Sequence, residues 1–94
     1  MNKPQSLSGA LEDVIRTLGL EDDVLEERIK QAWTDIVGEK ISEIAKVKKF
    51  EKGKLIITTE SSTWRAELTL RRDKLREDIN KKIGKLGVTD IIVR

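Results

Sequence analysis

The chain of 94 residues has no cysteine and no histidine. The first absence excludes a disulfide framework and thiolate metal ligands. The second removes the commonest metal ligand and the commonest acid–base group at neutral pH. Any nucleophile would be a Ser or Thr with no imidazole to activate it. Aromatics are scarce as well: Trp33, Trp64 and Phe50 are the whole set. No apolar run approaches the roughly 18 residues of a membrane span. The opening "MNKPQSLSGALEDVI" lacks the apolar core of a secretory signal. These absences predict a reduced, soluble, cytoplasmic protein that is not an enzyme and holds no cofactor.

What is present is charge, at 38% of residues, against 37% apolar. That apolar content suffices for one small core, so residues 1–94 are expected to form a single domain. The net charge of +2 conceals a split. Residues 1–45 carry 5 basic and 10 acidic groups, and residues 46–94 carry 14 basic and 7 acidic groups. Such a split suggests two surfaces with different partners. The acids include Glu12, Asp13, Glu21, Asp22, Asp23, Glu26 and Glu27. The stretch "LEDDVLEE" has no alternating Asp loop ending in Gly, and helix starts attract acids for dipole reasons alone, so no metal site is expected.

Helical periodicity opens the chain. Leu7, Leu11, Val14 and Leu18 recur at helical spacing behind Ser6 or Ser8 as caps, and Gly19 stops the run. A second stripe, Leu25, Ile29, Ala32/Trp33 and Ile36, follows a cap at Asp22 or Asp23 and ends at Gly38. "EKISEIA" adds one or two turns. "KVKKFE", Lys52-Gly53 and "KLIITTE" then predict a β-hairpin, with Leu55, Ile57 and Thr59 on one face. Val47 and Phe50 have opposite parity, which predicts a bulge or an early end of the first strand. Ser61 or Ser62 caps the next helix, whose stripe is Trp64, Leu68, Leu75 and Ile79, with Leu86 beyond. Whether that helix is continuous or breaks near residues 70–74 stays open, because Arg71 and Arg72 interrupt the stripe. "GKLG" ends it, and "VTDIIVR" forms a last strand with Ile91 and Val93 inward.

The order α-α-β-β-α-β predicts an α+β fold with a three-stranded mixed sheet and helices on one face. A right-handed crossover would set the last strand parallel to "KLIITTE". This is the topology of a type II KH-like domain.

Three segments resemble one family. "QAWTDIVGEKI" carries its W-x-x-I-V-G signature through Trp33 and Gly38. "GKLIITTESSTWRAEL" carries a second signature through Gly53, Trp64, Glu67 and Leu68. "INKKIGKLGVTDIIVR" resembles its ending. The chain is thereby similar to the DciA-like family of bacterial replicative-helicase loaders over nearly all of residues 7–94. The resemblance implies a KH-like fold, the replicative DNA helicase as partner, and binding to single-stranded DNA. Many members carry a long tail, so a chain ending at Arg94 is expected to be the bare domain. "TLRRDKL" has no glycine where KH domains place the GXXG loop that clamps a nucleic-acid backbone.

The residues themselves suggest where DNA could bind. On a continuous helix, Arg65, Arg72 and Arg76 share one acid-free stripe beside the apolar one. Lys48, Lys49 and Lys52, with Lys46 and Lys54, form a second cluster on the hairpin. Both could track phosphates. The signature residues Trp33, Gly38, Gly53, Trp64, Glu67 and Leu68 read as structural, with Trp64 anchoring its helix to the sheet. Two other functions stay open: a stand-alone KH-like module for RNA or DNA, and a protein-binding adaptor that uses the first helix.

Overall fold

The computed structural model describes residues 3–94, with side chains from residue 9 onward. Its elements run α1 (Lys3–Thr17), α2 (Glu21–Val37), α3 (Glu39–Ile44), β1 (Ala45–Glu51), β2 (Lys54–Thr59), α4 (Ser62–Leu70), α5 (Arg72–Ile83) and β3 (Asp90–Val93). The helix α1 begins ahead of Ser6 and Ser8, so neither serine caps it; their side chains and that of Leu7 lie outside the described residues. The N-cap of α2 is Leu20, not Asp22 or Asp23, and no side chain caps it. Glu21, Asp22 and Asp23 instead fill the first turn, where the helix dipole favours negative charge.

Gly38 separates α2 from α3 with φ 90° and ψ 163°. That combination is essentially closed to residues with a Cβ. The hairpin turns at Lys52 and Gly53, with φ 51° and 83°. Two successive positive φ values match the twist of the flanking strands. Strand β1 pairs antiparallel with β2, and its register shifts between Val47 and Lys49. This bulge resolves the parity conflict: Val47 faces Ile57, Phe50 faces Leu55, and both point to the same side. Strand β3 lies parallel to β2, with Leu55 opposite Ile91 and Ile57 opposite Val93.

Helices cover the sheet face that carries Ala45, Phe50, Leu55, Ile57 and Ile91, all buried. Leu25, Ile29, Ala32 and Trp33 of α2 complete the core from one side. Leu68, Leu75, Ile79 and Ile83 complete it from the other. Trp64 is only partly buried and packs against this cluster. Its backbone N–H is the one that Ser61 Oγ caps, at 3.1 Å.

The long helical pattern after Ser61 is broken. Arg71 serves as the C-cap of α4 and the N-cap of α5, with φ −98° and ψ 9°. Two helices therefore stand between β2 and β3, and the hairpin, helix pair and last strand follow type II KH order. Leu86 is not in the core; it is 88% exposed. Ile83 takes that place, because left-handed Gly84 turns the chain out directly after it. The last strand starts at Asp90 rather than Val88. The Asn80 side chain accepts from Val88 N–H and donates to its carbonyl, both at 2.9 Å, so the Val88 backbone is already occupied.

Candidate nucleic-acid interface

The hairpin is held from α2. Phe50 and Lys52 turn their N–H groups away from β2, and α2 supplies the acceptors. Phe50 N–H donates to Glu26 Oε1 at 2.8 Å, and Lys52 N–H donates to Asp22 Oδ2 at 3.0 Å. The spacing fits: four helical residues rise about 6 Å, and two strand residues span about 6.6 Å. Further along, the Trp33 indole N–H donates to the carbonyl of Ala45 at 2.8 Å. Helix α2 thus runs antiparallel beside β1 and covers an edge that would otherwise offer itself for pairing.

Among the described residues no helix covers the opposite sheet face, which carries cations together with Glu51 and Asp90. Register places its residues in rows. Nearest the turn, Glu51, Lys54 and Asp90 lie side by side, so the lysine stands between two acids. The next row is Lys49, Ile56 and Ile92. Lys46 then pairs with Thr58. Arg94 extends β3 beside them, since its N–H donates to Ile57 O and its carbonyl accepts from Thr59 N–H. Lys46 and Arg94 make no ion pair among the described residues, whereas Lys49 approaches Glu26 at 4.0 Å. Lys48 sits exposed at the bulge and Lys52 at the turn. The result is a shallow surface with half-buried Ile56, Thr58 and Ile92 between lysines and an arginine. Cations of the kind that pair with phosphates stand on it and, among the described residues, no aromatic ring for stacking a base.

The arginine stripe on the helices does not survive as one surface. Arg65 lies on α4, across the break at Arg71 from Arg72 and Arg76. Its guanidinium is half-buried and donates to Thr59 O at 2.8 Å, closing the end of β2. Arg76 pairs with Asp73 at 3.2 Å, so the stripe is not acid-free. Arg72 is exposed and makes no ion pair among the described residues. Nearby, Lys74 bonds Asp78 at 2.9 Å. That hydrogen bond, and then the carboxylate charge, raises the Lys74 pKa above the usual lysine value.

Among the described residues no cluster of three or more carboxylates could hold a metal ion. A depression of about 670 Å³ is open and lined by groups of both signs, including Glu43, Lys46, Glu60 and Ser61. The Ser61 hydroxyl in this lining accepts from Trp64 N–H as the cap of α4. Glu67 bonds Arg71 across one helical turn at 2.7 Å, and Leu68 is buried. Periodicity singled out the hairpin lysines but passed over Arg94. The parity of β3 was the available signal, since inward Ile91 and Val93 leave Arg94 outward.

A family model described as "Dna[CI] antecedent, DciA" matches residues 6–93. The chain belongs to the DciA family. Curated relatives agree over most of its length. A UPF0232 protein of Corynebacterium glutamicum is 26% identical over 87 residues, covering 93% of this chain and 49% of that protein. One from Mycolicibacterium paratuberculosis is 28% identical over 88 residues, covering 94% and 49%. One from Mycobacterium ulcerans is 27% identical over 88 residues, covering 94% and 47%. The chain spans about half the length of these relatives. Trp33, Gly38 and Gly53 of the DciA signatures have structural work in this fold: a buried indole, an inter-helix corner and a hairpin turn. Among the described residues of this DciA chain, no helix is long and apolar enough to cross a membrane.

Proposed function

We propose that this chain is a non-enzymatic, cytoplasmic DNA-replication accessory module that binds the replicative DNA helicase and assists its loading at single-stranded DNA. Membership of the DciA family carries the proposal. The helix-free sheet face supports the DNA part: Lys46, Lys49 and Arg94 beside the hairpin lysines Lys48 and Lys52 provide phosphate contacts. Of the helical arginines Arg65, Arg72 and Arg76, Arg72 makes no ion pair among the described residues, whereas Arg65 bonds Thr59 O and Arg76 pairs with Asp73. Lack of exposed aromatics on the sheet predicts weak, salt-sensitive, sequence-tolerant binding.

Two measurements test this. A pull-down with the purified replicative helicase should recover the domain; failure to recover it favours a stand-alone KH-like module for RNA or DNA. Fluorescence anisotropy with a labelled single strand at several salt concentrations tests the face. Lys48→Glu with Lys49→Glu and Lys52→Glu should abolish binding at unchanged circular dichroism. Milder Lys→Gln changes should reduce the salt slope by about 0.7 for each phosphate no longer neutralised. Equal binding with an equal slope would remove the hairpin from the interface.

A further inference from the structure

The two edges of the sheet differ. Helix α2 covers β1, whereas β3 is the outer strand at the other side of the order β1-β2-β3. Arg94 N–H donates to Ile57 O and its carbonyl accepts from Thr59 N–H, so in this register Asp90, Ile92 and Arg94 turn their backbone groups towards β2. Ile91 and Val93 alternate with them and turn theirs the other way. Among the described residues, Val93 N–H and the carbonyls of Ile91 and Val93 have no hydrogen-bond partner. Ile91 N–H is held only by the side chain beside it, Asp90 Oδ1 at 2.9 Å. Helices α4 and α5 meet β3 from the core face, where Ile91 is buried, and supply no bond to this row. Such a row is a template for another strand.

Charge decides which strand fits. Exposed Asp90 begins β3 and exposed Arg94 follows it. Neither makes an ion pair among the described residues. Charges at both ends of so short an edge turn most strands away. One strand satisfies backbone and charge together: β3 itself, running antiparallel about a two-fold axis at Ile92. In that register Ile91 stands opposite Val93 of the second copy, and the two exchange both N–H to carbonyl bonds. Asp90 stands opposite Arg94, and Ile92 opposite Ile92, in the closer pairs with Cα atoms about 4.5 Å apart. All three lie on the sheet face away from the core. Opposite charges in such a cross-strand pair are favourable, and like charges are not. A foreign strand needs a cation and an acid at these same two positions; a second copy brings both.

We propose that β3 is a self-pairing edge, and that a second copy of this chain adds its own β3 antiparallel in the register that sets Asp90 against Arg94. The Asp90 carboxylate passes from Ile91 N–H to the guanidinium of the second copy, which frees that N–H for Val93 O. Two three-stranded sheets thereby become one. Its outer strands are the β1 strands, which α2 covers, so pairing closes at two copies. A contact built on one four-residue strand from each copy is small beside a stable interface of about 1,600 Å², so the dimer is weak and concentration-dependent. The inference rests on β3 and does not depend on DNA binding.

Sedimentation equilibrium from micromolar to near-millimolar protein tests this. The mass should rise towards twice that of the chain, and exchange of the Val93 amide should slow in step. Asp90→Arg alone sets cation against cation in this register, and Arg94→Asp alone sets acid against acid, so each variant should stay monomeric. Mixed in equal amounts, the two should form a one-to-one pair, because every opposed position then holds opposite charges. Both side chains are exposed, so circular dichroism should match wild type. A wild-type protein that stays monomeric at every concentration overturns the proposal. So does a wild-type dimer whose Val93 amide exchanges as fast as the monomer's, a result that needs no variant. Single variants that dimerise as well as wild type, or a mixture of them that stays monomeric, overturn it equally.

Discussion

The indole N–H of Trp33 donates to the carbonyl of Ala45 across 2.8 Å, and both residues are buried. One bond ties the middle of α2 to the first residue of β1. Trp33→Phe should fill most of the space but leave a buried carbonyl unpaired, costing about 1–3 kcal/mol. Trp33→Ala should cost about 3–5 kcal/mol, as large core truncations do. Trp64→Ala should cost clearly less, because Trp64 is only partly buried. Urea unfolding of the three variants checks the order; a larger loss at Trp64 would contradict it.

Glu26 protects the β1 edge. Its carboxylate accepts from Phe50 N–H and lies 3.7 Å from Lys30 and 4.0 Å from Lys49. Glu26→Ala should destabilise by about 1–3 kcal/mol, the cost of orphaning a part-buried donor. Glu26→Gln keeps an acceptor and should recover most of that loss. Chemical denaturation reads the stability, and hydrogen exchange at Phe50 should quicken in the alanine variant alone.

Gly38 is the corner between α2 and α3. No neighbouring atom lies within 4 Å of where a Cβ would be, so space is not the constraint. The backbone is: φ 90° with ψ 163° strains any L side chain. Gly38→Ala should therefore cost about 1–3 kcal/mol with no clash to relieve. A melting temperature equal to wild type would show that the corner can take another conformation.

Arg65 is expected to matter for folding before it matters for DNA. Its guanidinium satisfies Thr59 O at the end of β2. Arg65→Ala should lower stability by about 1–3 kcal/mol, since the bond is charge-assisted. Arg72→Ala, at an exposed position, should change stability by no more than about 0.5 kcal/mol. If the two prove equally silent in thermal melts, Arg65 is not an anchor and returns to the candidate interface.

Much of the fold follows from residues close together in the chain. Gly38 and Gly53 mark corners, Ser61 caps α4, and the alternation of Leu55, Ile57 and Thr59 orients β2. The mismatch between Val47 and Phe50 announces the bulge. These signals are local, because turns, caps and periods of two or 3.6 depend on neighbours within a few positions. The family signatures are likewise strings of nearby residues. Tertiary structure decided what each charge does. Asp22 and Glu26, read as helix-start acids, reach across 30 and 24 positions to the backbone of the hairpin, at its turn and in β1. Arg65 closes a strand, Arg76 finds Asp73, and Arg94 joins the lysines of the hairpin. It also ended α4 at Arg71 and left the stripe of α1 uncovered. A charged side chain reads the same in sequence whether it faces solvent, an acid or a backbone group. Only the packing of distant elements chooses among them.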